Sequence, residues 1–322
     1  MTDRRSRIAI GGIIGAAVLA AACAVGPSNN QEPPLAARVQ TLHAQGHKAL
    51  DRGDRERARI LFEHSLKLAE SLDDLPGTVQ ALNDLGTVAA LDGNATAAIQ
   101  LHQQALALAE PSKRPYLVVA TMTQLGTALQ LAGQTDQASS TYARGLALAR
   151  ESGNRQSEAV LLNNVGLLDK QAGRPKEAEV SFRAALAINR SLDDRPAQAA
   201  NLVNLALLAE ADGKLDEASR NFQEALELDK AAENRSAIAA DLSGLARVAE
   251  AQNRQGEALA YAQRSYWSYR ALGDMPHART ELDRALALAR SQGQKDAVAQ
   301  LEAELKLWPT TDPSDTSKPD KR

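Results

Sequence analysis

The sequence predicts an all-α chain built as seven copies of one helical hairpin, and three observations carry that expectation. Of its 322 residues, 62 are Ala and 44 are Leu, so a third of the chain is two strong helix formers. Aromatic residues make up only 3% and β-branched residues are sparse, which argues against a sheet. A glycine recurs every 40 residues: Gly53, Gly93, Gly133, Gly173 and Gly213, then Asn253, then Gly293. Asn is a natural stand-in, because it tolerates the left-handed backbone of a short helix–helix turn. Charged residues are 24% and the net charge is −3. That balance fits neither a disordered acidic tail nor a basic nucleic-acid binder. One cysteine excludes a disulfide framework and a Cys-rich metal cluster.

The first 22 residues read as an address. Arg4, Arg5 and Arg7 form a positive n-region, and Ile8 to Ala22 is an uncharged run rich in Ile, Ala and Gly. Length and flanks fit a secretory signal peptide better than a spanning helix, which needs about 20 clearly apolar residues. Cys23 sits where the run ends. The segment Ala20-Ala21-Ala22-Cys23 resembles the lipobox of bacterial lipoproteins, with Leu19 one place earlier than that pattern's usual Leu. The resemblance implies lipidation of Cys23, which becomes the mature N-terminus and carries a lipid such as palmitate into the cell-envelope membrane. Ala24 after the cysteine is the type associated with the outer membrane, which would place the chain facing the periplasm. Ordinary cleavage at Ala20-x-Ala22 or Ala22-x-Ala24, giving a soluble exported protein, and an uncleaved anchor are the alternatives. Removing residues 1–22 deletes three Arg and one Asp, so the exported chain is more acidic and membrane affinity falls to the lipid. Residues 23–35 carry Gly, Pro, Ser, Asn and Gln without periodicity and read as a flexible tether.

The body, residues 36–307, holds the seven repeats. Seven residues before each turn glycine lie Gly46, Gly86, Gly126, Gly166, Ala206, Ala246 and Leu286. Five residues after it lies Ala in six copies, Ala58 to Ala258, and Val298 in the last. Four further on come Phe62, His102, Tyr142, Phe182, Phe222, Ala262 and Glu302. The first helix of each unit repeats apolar residues at i, i+3, i+4 and i+7, as in Leu202, Leu205, Ala206 and Ala209, the period of an amphipathic helix. Pro175 suits the first turn of a second helix, and Pro76, Pro196 and Pro276 share one register at the start of first helices. Small columns let helices cross closely, and the large residue fills the gap beside them.

The spacing L-x2-L-G, then Ala, then x3-Phe/Tyr, then x2-Ala resembles the tetratricopeptide repeat. Its cleanest copies run from Leu162 through Val165-Gly166 to Ala178, Phe182 and Ala185, and from Leu202 to Ala218, Phe222 and Ala225. The period of 40 exceeds the usual 34. Together with Asn163-Asn164-Val165-Gly166, it is similar to the repeats of kinesin light chains. The extra residues are expected in the helices and in the turn between units. The resemblance implies an α-α superhelix, a solenoid whose concave face is lined by the first helices and holds protein or peptide partners.

The family's groove positions correspond here to Asn83, Asp84 and Thr87, to Thr123, Gln124 and Thr127, to Asn163 and Asn164, and to Asn204. They form a ladder of amides and hydroxyls able to hold an extended backbone, or simply a solvated helix face. Asn is a poor helix former, which gives the ladder weight. The family's carboxylate clamp is not expected, since only Arg247 and Arg284 stand at such positions. His43 and His47 share one helix face but lack the Glu of the metalloprotease pattern, so groove or surface histidines are expected and no metal. Tyr261, Tyr266, Trp267 and Tyr269 cluster in the sixth unit. Tyr266 falls in a Leu column and reads as core. Trp267 faces outward, either as a surface contact or packed on a degenerate capping unit.

No phosphate loop, nucleophile elbow or other catalytic constellation is found. Asp73-Asp74 and Asp193-Asp194 at unit junctions read as helix N-terminal charge. Residues 308–322 read as a disordered tail. The expectation is a non-enzymatic interaction scaffold without cofactor, exported and lipid-anchored. A soluble periplasmic sensor of a short peptide or small ligand is the alternative.

Overall fold

A computed structural model describes residues 34–308. The signal segment, Cys23, most of the tether and the tail after Trp308 lie outside the described residues. Among the described residues there are fourteen α-helices, one short 3-10 turn and no strand. The chain divides into two compact units at Leu192. The first holds α1 (Leu35–Asp51), α2 (Arg55–Ser71), α3 (Leu75–Leu91), α4 (Ala95–Ala109), α5 (Pro115–Leu131), α6 (Thr135–Glu151), α7 (Arg155–Gln171) and α8 (Pro175–Ser191). The second holds α9 (Arg195–Ala211), α10 (Leu215–Ala231), α11 (Arg235–Ala251), α12 (Gln255–Leu272), α13 (Met275–Ser291) and α14 (Lys295–Lys306). Within each unit every helix packs on the next, and odd–even pairs form the hairpins.

Most helices have 17 residues and most connections have three, so the long period goes into the helices. Apart from residues 110–114 between α4 and α5, which include the 3-10 turn, the turn between hairpins is as short as the turn within one, and the expected lengthening there does not occur. Both turns need one left-handed residue. Inside hairpins it is the predicted column, from Gly53 (φ 76°) to Gly293 (φ 65°), with Asn253 at φ 59°. Between hairpins it is a second column containing Asp73, Lys113, Gly153, Asp193, Glu233 and Gly273. The acidic pairs therefore split their roles. Asp74 and Asp194 cap α3 and α9, accepting from Gly77 N and Ala197 N, while Asp73 (φ 51°) and Asp193 (φ 52°) turn the chain. Each such cap stabilises its helix by about 1 kcal/mol. Pro76, Pro175, Pro196 and Pro276 all stand in first turns, as expected.

The glycine column in first helices is explained by what faces it. A methyl on Gly166 would lie 2.6 Å from the Phe182 ring, and one on Gly86 2.6 Å from the His102 ring. Gly46 and Gly126 receive Phe62 and Tyr142 in the same way. All four rings are buried, so the ring of each second helix sits directly on bare backbone of its own first helix. The fifth hairpin departs from this rule. Ala206 fills the glycine column, and the Phe222 ring lies instead against Gly244 of α11, 2.6 Å from where a methyl would stand.

Candidate functional site

First helices are covered on most sides by their neighbours, and what remains accessible is one narrow stripe along each. In the first unit it runs through Gln80, Thr87 and Leu91 on α3, with the buried Asp84 between them, through Ala120, Gln124, Thr127 and Leu131 on α5, and through Val160, Asn164, Leu167 and Gln171 on α7. The spacing of four, three and four keeps each set on one helical face. Leu91, Leu131 and Val160 are 43%, 44% and 42% exposed. Asp84, the one charged residue on these faces, is buried. By contrast, the outer faces of α2 and α8 carry ion pairs such as Arg59–Glu56 and Arg183–Glu179.

First helices of successive hairpins also touch in this unit, and polar side chains bridge them. Asn83 Nδ2 donates to Thr121 Oγ1 at 2.8 Å, linking α3 to α5. Its Oδ1 lies 3.0 Å from His102 Nδ1, which must therefore carry the proton. Burial lowers the His102 pKa to about 4, so the ring stays neutral and donates. Thr127 Oγ1 meets Tyr142 Oη at 3.1 Å, and Gln130 Nε2 donates to Gln171 Oε1 at 2.9 Å, linking α5 to α7. Burial pushes the Tyr142 hydroxyl up to about 12.

The predicted ladder is thus partly internal. Asn83 and Asp84 are buried rather than exposed, at 9% each, because Asn83 meets Thr121 of the next first helix, α5, and Asp84 meets His43 and His47 of the preceding one, α1. Thr87 returns its hydroxyl to Asn83 O at 3.0 Å. Gln124, Thr127 and Asn164 remain half-buried on the accessible stripe. Asn163 and Asn204 are half-buried too, and each is engaged within the chain. His43 was expected at the surface or in the groove but is 8% exposed, packed with His47 against Asp84. A contact from Asp84 raises the His47 pKa above its ordinary value, burial opposing.

Three blocks, residues 38–110, 117–191 and 195–266, match the model of the tetratricopeptide repeat. The chain belongs to the tetratricopeptide repeat family. No curated protein matches the sequence. Solved structures share the fold at low identity. BtubC from P. vanneervenii is 19% identical at a TM-score of 0.58, covering 75% of this chain and 93% of its own. A signal-transduction ATPase with a tetratricopeptide repeat sensor, from Pyrococcus horikoshii, is 13% identical at 0.68, covering 85% of this chain and 42% of its own. A Rap protein complexed with competence and sporulation factor is 15% identical at 0.60, covering 82% and 78%.

In the second unit the tetratricopeptide face has a different chemistry. Arg247 on α11 donates twice to Glu210 on α9, at 3.0 and 2.8 Å, which raises its pKa further. Arg284 on α13 reaches Glu250 at 2.6 Å, and Ser243 donates to Glu281 at 2.7 Å. Both arginines are committed to carboxylates of this chain, so neither offers the free charge that a carboxylate clamp requires. Tyr266 is fully buried, as expected, and Trp267 is 51% exposed. The Trp267 ring lies 4.8 Å from Tyr266, with the Arg270 guanidinium 5.4 Å away. Arg270 and Tyr266 both bond Glu304 of α14. Trp267 is therefore accessible and also rests on groups tied to the seventh hairpin.

Sequence reasoning missed two clusters: His43, His47 and Asp84, and the buried acids Asp229 and Asp241. The repeat period carried a signal for the first. With first helices stacked every 40 residues, side chains 37–41 apart meet, as do Asn83–Thr121, Gln130–Gln171 and Glu210–Arg247. His43–Asp84 has that separation.

Proposed function

We propose that the chain is a non-enzymatic protein-interaction scaffold that holds an extended segment of a partner across the first-helix stripe of α3, α5 and α7. The observation that carries this reading is the stripe's composition. Amides, threonines and exposed Leu91, Leu131 and Val160 lie together with one charged residue. Amide side chains can bond an extended backbone while apolar ones cover its side chains. We further propose export and lipid anchoring through Cys23 at the cell envelope, facing the periplasm, on the strength of residues 1–23. The second reading is a soluble periplasmic sensor for a short peptide or small ligand. It draws support from the fold shared with a repeat sensor and with a Rap protein bound to a factor.

Metabolic labelling with palmitate separates the two. The anchored scaffold requires label in the wild type and its loss in Cys23→Ala. An unlabelled, fully soluble mature chain supports the sensor instead. The interaction itself is tested by in-cell crosslinking and capture with Leu131→Glu and Val160→Glu introduced together.

A further inference from the structure

His43 and His47 stand four residues apart on α1, so both rings project from one face. Their Nε2 atoms converge to 3.2 Å. Asp84 reaches the same point from α3, with Oδ1 3.4 Å from His47 Nε2. One donor atom from each of the three residues lies within 4.8 Å of the others. A tetrahedral zinc ion with bonds of about 2.0–2.1 Å keeps its ligands roughly 3.3 Å apart, which is the spacing of the two contacts at His47.

The surroundings suit a cation. Phe62 packs against both imidazoles, with centroids at 5.7 and 5.3 Å, and fixes their planes. Asp84 Oδ2 is buried 2.8 Å from His43 Nδ1, yet makes no hydrogen bond among the described residues. The Gln80 amide also abuts His43 Nε2 from the exposed side. Two imidazole nitrogens, an amide and a carboxylate thus converge on one point, and the buried carboxylate oxygen is left without a hydrogen bond among the described residues.

We propose that His43, His47 and Asp84 bind a first-row divalent cation of the zinc type, clasping the first hairpin to the second and leaving one coordination position open beside Gln80. Two imidazoles and one carboxylate are donors that favour zinc over magnesium or calcium. Asp84 and Gln80 lie on the α3 face that also carries the binding stripe, but the stripe is tested at Leu131 and Val160 and the cation at His47, so either reading can fail without the other.

The test uses untagged full chain, stripped with a chelator and titrated with Zn2+ against a chromophoric competitor. One ion per chain is expected. His47→Ala and Asp84→Asn should each weaken binding by about tenfold or more with helicity retained, while His64→Ala and His277→Ala leave it unchanged. Co2+ should give the visible absorption of a tetrahedral site, lost in His47→Ala. Absence of stoichiometric binding, or equal affinity in His47→Ala and Asp84→Asn, overturns the proposal. A folded His47→Ala chain keeps that outcome decisive if Asp84→Asn unfolds.

Discussion

Burial of polar side chains at fixed columns is the main departure from a plain helical core. Positions 81, 121, 161, 201, 241 and 281 are all buried, yet the last three are Asn201, Asp241 and Glu281. Asp241 is 1% exposed and faces Asp229, itself 4% exposed and bonded by Asn234 at 3.1 Å. Burial, with the charge of Asp229 adding to it, pushes Asp241 up to about 8. The folded chain therefore holds a proton that the unfolded chain releases near pH 4. This contribution to stability is complete below pH 4 and is lost as pH rises toward 8. Asp241→Asn removes the charge and leaves a donor for Asp229. Thermal unfolding should show the variant more stable by about 2 kcal/mol at pH 8, with little difference at pH 4. A variant less stable at pH 8 contradicts the shared proton. This pair was illegible in the sequence because Asp229 and Asp241 lie on different helices, α10 and α11, and their columns hold Ala or Leu in other copies, as at Ala149 and Leu161.

At the scale of elements, the repeat was legible almost completely. The turn glycines, the stand-in Asn253, the first-turn prolines and the buried aromatic column all occupy their expected places. The period itself reports them, since each unit solves the same packing problem in the same register. What could not be read is where a local exchange reroutes a contact. Ala206 interrupts the glycine column, and only the fold shows Phe222 turned onto Gly244. The packing argument predicts that Gly166→Ala destabilises the chain by about 1–3 kcal/mol through overpacking against Phe182, although Ala favours helix. Denaturant unfolding of Gly166→Ala, Phe182→Leu and the double variant should give a coupling that relieves much of this loss. Additive effects would mean that the ring does not set the glycine.

For the whole molecule, the family was written in its spacing, whereas the binding face was legible only in part. Choosing Asn83 and Asp84 by family position overlooked the neighbouring first helices, α5 over Asn83 and α1 over Asp84, which turn them into inter-repeat contacts. The apolar members Leu91, Leu131 and Val160 were missed because a lone aliphatic residue in an Ala/Leu-rich helix carries no mark of exposure. With them included, the stripe of α3, α5 and α7 gains both halves of a peptide-binding surface, and the central claim becomes testable at single positions. The most direct measurement is quantitative crosslinking capture from intact cells. It compares wild type, the Leu131→Glu Val160→Glu chain, and a Val180→Glu control on α8, where Val180 is 69% exposed. The account predicts that charging the stripe abolishes recovery of the captured partners while the α8 variant recovers them like wild type, both variants keeping native helicity. Undiminished capture by the stripe variant, or loss confined to the α8 variant, would contradict it.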